Sequence, residues 1–216
     1  MLQVHIENAR FNMVEQQVRP WEVLDQRILD LMSDVAREDF VPRAYRNLAF
    51  ADIDIPLAHD QVMMSPKLEG RLLQSLNISA EDTVLEVGTG SGYLTALLAK
   101  LAKRVDSVDI FEDFVREATT RLKAFGNISL YTGDAVNGWR TGGYDVIVLT
   151  GSVPVLKPHF QGQLNEGGRL FAIVGEEPVM QAHLISRVAG NFYTEILFET
   201  SLPPLVGSSE PGHFML

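Results

Sequence analysis

Cysteine is absent from the 216-residue chain, which removes disulfides, thiol nucleophiles and cysteine-ligated zinc from consideration. Although 46% of the residues are hydrophobic, no apolar run approaches the roughly 18 residues that a membrane-spanning helix needs. Positive charge is scarce: 18 Lys and Arg stand against 28 Asp and Glu, a formal charge of −10. That is the wrong sign for affinity built on neutralising phosphates, so neither nucleic acid nor a membrane is expected as a partner. The start, Met1-Leu2-Gln3-Val4-His5-Ile6-Glu7, has no basic segment leading into an apolar one. No secretory signal is expected there, and the expected location is cytoplasmic. Histidines 5, 59, 159, 183 and 213 fall in no metal-ligand spacing, and no nucleophile-elbow motif occurs, so neither a metal nor a serine nucleophile is expected.

What is present centres on Val84-Leu85-Glu86-Val87-Gly88-Thr89-Gly90-Ser91-Gly92-Tyr93. Thr83 to Val87 is apolar and β-branched apart from Glu86, and Tyr93 to Leu101 has helical apolar spacing, so the glycines lie at a strand-to-helix turn. A dinucleotide fingerprint would place its third glycine one position later. Glu86 would repel a phosphate but could hold a ligand ammonium, directly or through water, which favours S-adenosylmethionine. About 20 residues on, where an acid commonly meets a ribose, Asp109 ends the strand-like Val105-Asp106-Ser107-Val108. Gly133-Asp134-Ala135 follows a third strand, Ile128 to Thr132, where a carboxylate can accept from an adenine amino group. Asp109 could instead cap the helix near Glu112 to Phe125, and Asp134 could simply form a turn. The cofactor set expected from this pattern is Glu86, Gly88, Thr89, Gly90, Ser91, Gly92 and Tyr93, then Asp109 with Ile110, Gly133 with Asp134 and Ala135, and Thr150 at the end of the fourth strand.

In chain order, Asn8 to Val18 reads as a helix stopped by Arg19-Pro20. Asp25 caps a second helix, with Ile28, Leu29, Leu31, Met32 and Val35 as its core face. Ala51 to Leu57 reads as loop or short strand, since Pro56 argues against a central one. Ser65-Pro66 supplies an N-cap and a first-turn proline for a helix carrying Leu68, Leu72, Leu73 and Leu76. From Thr83 strands alternate with helices, the mark of a parallel sheet. The fourth strand is expected over Tyr144 to Leu149, with a helix over Pro154 to Gln161 and a strand over Arg169 to Val174. Leu184 to Val188 and Phe192 to Thr200 read as an antiparallel pair around Gly190-Asn191, and Leu202 to Leu216 as loop. The expected division is a helical extension, 1–80, packed on a cofactor-binding core, 81–216, within one structural domain.

These residues resemble the protein-L-isoaspartate O-methyltransferase family over most of the chain. Met13-Val14-Glu15-Gln16-Gln17-Val18-Arg19, Arg37-Glu38-Asp39-Phe40-Val41-Pro42 and Leu48-Ala49-Phe50-Ala51-Asp52 look like its N-terminal signature, and Val84 to Tyr93 like its cofactor motif. Further matches are Ser107-Val108-Asp109, Gly133-Asp134, Tyr144-Asp145, Leu164-Asn165-Glu166-Gly167-Gly168-Arg169 and Pro204-Leu205-Val206. The resemblance implies an α/β, Rossmann-like class I methyltransferase fold with a mostly parallel twisted sheet. It also implies S-adenosylmethionine-dependent esterification of isoaspartyl carboxylates in damaged protein, with S-adenosylhomocysteine as product. A carboxylate acceptor, with a pKa near 4, needs no general base at neutral pH.

One segment departs from the family. Where the family carries Gly-x-Gly-Gln-Thr-Ile-Ser-x-Pro, this chain has Ala58-His59-Asp60-Gln61-Val62-Met63-Met64-Ser65-Pro66. The resemblance places the family's catalytic serine at Met64, with Ser65 one position late, and the acceptor contacts at Gln61, Val62, Met63, Pro204 and Leu205. The loss of two hydroxyls leaves open a small-molecule acceptor in place of a peptide, or a protein that binds the cofactor without turnover.

Overall fold

The computed structural model describes residues 2–140 and 142–208, with side chains from residue 5 onward. Helix α1 (Leu2–Met13) continues into a π-helical turn, Val14–Val18, and a 3-10 turn, Arg19–Trp21. It begins six residues before the expected Asn8, because Leu2 to Glu7 carries no apolar stripe that would mark it as helical in the sequence. Helix α2 (Gln26–Asp34) is capped as expected, the Asp25 side chain accepting from the Arg27 amide at 2.9 Å. After two 3-10 turns, Arg37–Asp39 and Arg43–Leu48, strands β1 (Ile55–Pro56) and β2 (Val62–Met63) form a two-stranded antiparallel hairpin. Helix α3 (Pro66–Leu76) starts at its proline, but Ser65, although it occupies the N-cap position, makes no side-chain capping bond. Its amide donates instead to Asp54 Oδ1 at 2.7 Å.

The remainder alternates: β3 (Thr83–Val87), α4 (Tyr93–Leu101), β4 (Arg104–Asp109), α5 (Glu112–Arg121), β5 (Ile128–Thr132), β6 (Tyr144–Val153), α6 (Pro158–Gly162), β7 (Leu164–Glu176), β8 (Val179–Val188) and β9 (Asn191–Thr200). They build a seven-stranded sheet in the order β5-β4-β3-β6-β7-β8-β9, parallel from β5 to β7 and antiparallel for β8 and β9. The chain leaves β3 in one direction through β4 and β5, then returns to its other side with β6. The carboxyl ends of β3, β4 and β6 thus surround a topological switch point, where open α/β sheets bind ligands.

Several boundaries differ from the sequence reading: β7 begins at Leu164 rather than Arg169, β8 at Val179 rather than Leu184, and α5 ends at Arg121 rather than near Phe125. Strand β6 runs to Val153, four residues past Leu149, because the later chain pairs with it: Ser152 N donates to Pro203 O at 3.0 Å, and Leu205 N to Ser152 O at 2.9 Å. The helix expected from Pro154 shrinks to Pro158–Gly162, since proline fits the first turn of a helix and breaks one further in. Of the tail read as loop, 209–216 lies outside the described residues.

Both faces of the sheet are covered. One core cluster joins Met13, α2, α3 and α4 to Val84, Val105, Val146 and Phe171; the other packs Leu85, Val108, Ile147, Leu149 and Leu170 against Phe160. Central strands buried on both faces read as near-continuous apolar runs, as Val84-Leu85 and Val146 to Leu149 do. The N-terminal helices therefore share one continuous core with the sheet, and α3 reaches the switch point from that side.

Candidate functional site

At the switch point a cavity enclosing roughly 800 Å³, open solvent included, is lined by the ends of β3, β4 and β6, by β2 and α3, and by Leu205 and Val206. The glycine turn forms its floor. Gly88, Gly90 and Gly92 all have positive φ, at 102°, 50° and 84°, a region that side chains with a Cβ rarely enter. At Gly88 the need is also steric: a Cβ would lie 2.0 Å from Thr150 Oγ1, a hydroxyl that donates to the carbonyls of Val87 and Gly88. Ser91 Oγ accepts from the Tyr93 amide at 3.3 Å and so helps start α4.

Glu86 is fully buried beneath this turn. Its Oε2 accepts from Thr95 Oγ1 and from Ser107 Oγ, both at 2.6 Å, and Ser107 is bonded in turn to Thr89 Oγ1 at 2.6 Å. Its Oε1 has no partner among the described residues. Burial pushes the carboxyl up to about 8, against the opposing pull of the two hydroxyl bonds. A buried carboxyl with one free oxygen at a cavity wall is suited to a cationic ligand group, whose charge would restore the ionised form.

Asp109 and Asp134 are held differently. Asp109 Oδ2 accepts from Gly90 N at 2.8 Å and Oδ1 from Phe111 N at 3.0 Å. Two backbone donors fix both oxygens while leaving each lone-pair capacity for a hydroxyl. Burial raises its pKa, and these amides work against that. Asp109 is not the cap of α5, whose N-cap is Phe111. Asp134 Oδ1 accepts from Val136 N at 2.9 Å, so its role as a turn former and its place on the cavity wall coexist.

The opposite wall is the β1–β2 hairpin. Leu57 N donates to Gln61 O and Gln61 N to Ala58 O, and the two turn residues, His59 and Asp60, have φ of 58° and 55°. This is a two-residue turn with both central residues left-handed, a geometry that Asn-Gly normally supplies. Side-chain contacts hold it instead: the His59 ring stacks on Phe111 with centroids 4.0 Å apart, and His59 Nε2 lies 2.9 Å from Asp113 Oδ2. Gln61, Val62, Met63 and Met64 then pass along the cavity.

Most of the residues expected from the sequence meet at this cavity: Gln61 to Met64, Glu86, Gly88 to Ser91, Asp109, Ile110, Gly133 to Ala135, Thr150 and Leu205 all line it. Gly92, Tyr93, Ser65 and Pro204 do not. A Cβ on Gly92 would meet Ala118 and Leu122 at 3.3 Å, so this glycine serves the packing of α4 against α5. Tyr93 points into the core, its ring under the Arg37 guanidinium at 4.8 Å. Pro204 belongs to the segment bridged to Ser152.

The sequence reading missed Phe111, Phe114, Leu94 and, above all, Glu69, all of which line the cavity. Glu69, on α3, is buried and ion-paired through Oε2 to Nη1 of Arg37. Arg37 also donates to Met64 O at 2.6 Å and Ala49 O at 3.0 Å. An acid in the first turn of a helix reads as a solvated dipole partner, and its cation lies 32 residues away. No local signal could have found it.

Comparison with known proteins gives one consistent result. The sequence model for protein-L-isoaspartate(D-aspartate) O-methyltransferase (PCMT) matches residues 8–210. The protein-L-isoaspartate O-methyltransferase of Koribacter versatilis is 34% identical over 202 residues, 92% of this chain and 91% of the relative. That of Pectobacterium atrosepticum is 33% identical over 92% of this chain and 97% of its own. Among solved structures, a Plasmodium falciparum chain described as a protein-L-isoaspartate O-methyltransferase in complex with S-adenosyl-L-homocysteine aligns with a TM-score of 0.78. It is 19% identical and covers 91% of this chain and 97% of its own, and at that identity it attests the fold.

Proposed function

The chain belongs to the protein-L-isoaspartate(D-aspartate) O-methyltransferase family, and from that premise we propose that it is an enzyme that methylates the free carboxylate of isoaspartyl residues in proteins or peptides, with S-adenosylmethionine as donor. The observation that carries the cofactor half is the buried Glu86 with its free Oε1 on a cavity floored by glycines of positive φ. A donor with a cationic methionine end and a ribose fits that wall; a pyrophosphate does not, because no Lys, Arg or His lines the cavity among the described residues. In this reading Asp109 takes the ribose hydroxyls, Asp134 and Ala135 flank the adenine, and Glu86 faces the ammonium. When bound, the donor supplies an activated methyl on a sulfonium. The chain's own task is then to align the acceptor with it and keep water out, because in-line transfer to a carboxylate mainly requires orientation.

The acceptor side supports a second reading. Val62, Met63 and Met64 put an isopropyl group and two thioethers along the wall, where the family pattern carries two hydroxyls. An apolar small-molecule acceptor is compatible with that wall. Radiolabelled methyl transfer to an isoaspartyl peptide, with the aspartyl peptide as control, separates the two. Base-labile label on the isoaspartyl peptide alone is the expected result, and no label on either favours the small acceptor. Calorimetry with S-adenosylhomocysteine tests the donor half independently. Asp109→Ala is expected to weaken binding by about tenfold or more, the worth of one or two hydrogen bonds to a charged group; unchanged affinity would remove the ribose assignment.

A further inference from the structure

Four carboxyls line the cavity, Glu69, Glu86, Asp109 and Asp134, with no basic side chain beside them among the described residues. They fall into two kinds. Asp109 and Asp134 stand on the β4 and β5 side and accept from backbone amides, the usual setting of a carboxylate that meets hydroxyl or amino groups. Glu69 and Glu86 come from α3 and β3, are almost wholly buried, and receive no backbone amide. Thr95 and Ser107 fix Glu86 while its Oε1 stays unpartnered. Glu69 makes one hydrogen bond with its side chain among the described residues, Oε2 to Arg37. Arg37 reaches it from the core and does not line the cavity.

This end of the cavity thus holds two carboxyls and one compensating guanidinium. An extra negative charge in a dry site is costly unless it is protonated or met by a cation. Resting on the donor reading above, we propose that Glu69 is a cofactor-binding residue which, with Glu86, forms a two-carboxyl subsite for the cationic methionine end of S-adenosylmethionine. The groups facing Glu69 are Arg37, Asp54, Tyr93 and Glu86; those facing Glu86 are Thr95, Ser107, Asp109 and Glu69. None but Arg37 is cationic, so the ligand supplies the missing charge. Burial raises the Glu69 carboxyl above the usual carboxylate range, and Arg37 offsets that in part.

The test compares S-adenosylmethionine with methylthioadenosine, which shares the nucleoside but has neither sulfonium nor ammonium. In Glu69→Gln, affinity for S-adenosylmethionine is expected to fall about tenfold while that for methylthioadenosine stays unchanged. Because the variant leaves Arg37 without its anion, the paired change Arg37→Met with Glu69→Met, which removes the whole buried pair, is measured alongside and should show the same selective loss. Undiminished S-adenosylmethionine affinity in either folded variant overturns the proposal, as does an equal loss for both ligands. A wild-type protein that binds neither ligand would instead discard the donor reading itself.

Discussion

The cavity has two walls that solve one backbone problem by different means. On the wall proposed to hold the cofactor, the chain turns through positive φ at Gly88 and Gly90, and again at Gly92 behind it, where the residue type itself permits the conformation. On the wall proposed to face the acceptor, it turns through positive φ at His59 and Asp60, where it does not. There the conformation rests on tertiary contacts, a ring stacked on Phe111 and a carboxylate at Asp113. The first wall is specified locally and the second by its neighbours. Substitutions should therefore act locally and severely on the first, and more mildly on the second.

The largest expected effect is at Gly88. Alanine there must hold φ near 102° and place its Cβ 2.0 Å from Thr150 Oγ1, so either the turn or β6 has to move. Strain of about 1–3 kcal/mol for the backbone alone, plus the steric shift, should lower S-adenosylhomocysteine affinity by about 100-fold, since each 1.4 kcal/mol is about tenfold. Calorimetry on protein whose far-ultraviolet dichroism is native measures this. Adding Thr150→Ala removes the steric share and leaves the φ share, so partial recovery is expected. Full recovery would mean that the backbone conformation of this glycine matters little.

A smaller effect is expected on the acceptor wall from Val62→Thr with Met64→Ser. The double change restores two hydroxyls beside the proposed acceptor position without touching the glycine turn. Each hydroxyl that finds a substrate carboxylate is worth about 1–3 kcal/mol, so kcat/KM on an isoaspartyl peptide should rise by about tenfold or more for each hydroxyl that makes the contact, with S-adenosylhomocysteine affinity unchanged. Met64 is buried, and shrinking a buried Met costs about 2–5 kcal/mol of stability; a denaturation midpoint must accompany the rates. A well-folded double mutant with no gain would move the acceptor reading toward a small apolar molecule.

The same contrast explains what could be read from the sequence. Strands β3 to β6, the glycine turn and the order of Glu86, Asp109 and Asp134 were legible, because apolar runs, turn chemistry and strand-end acids all point to one answer within a few residues of each other. The β1–β2 hairpin was legible only as loop or short strand, since His59-Asp60 carries no turn signature and its stabilising partners lie more than 50 residues away. Glu69 was invisible for a related reason: beside Leu68 and Leu72 it reads as a surface acid, and only the fold brings Arg37 beneath it. Ser65 reads as a cap from its place before Pro66, yet the structure gives its amide to Asp54 and its hydroxyl no capping role. The extension of β6 depended on a strand-like segment at Pro203 to Leu205, too distant for periodicity to reveal.

The smallest expected effects belong to the hairpin turn, and they bear most directly on whether side chains hold it. The His59–Asp113 contact is partly exposed, at 39% and 35%, and polar pairs this exposed contribute little. The stack on Phe111 is worth about 0.5–1.5 kcal/mol beyond the area it buries. His59→Ala should therefore lower stability by about 1 kcal/mol, read as a shift in urea midpoint at constant m-value. In a Phe111→Ala background the same substitution should cost less, because the two rings are coupled. Asp60→Gly works on the other term. Relieving a left-handed non-glycine residue gains about 1 kcal/mol, but glycine also loosens the unfolded chain by about 0.4–1 kcal/mol, so the net change should stay within about 0.5 kcal/mol of zero. If His59→Ala left stability untouched while Asp60→Gly raised it by much more than that, the turn would be strained and unsupported, and the acceptor wall would differ from the cofactor wall only in lacking glycine.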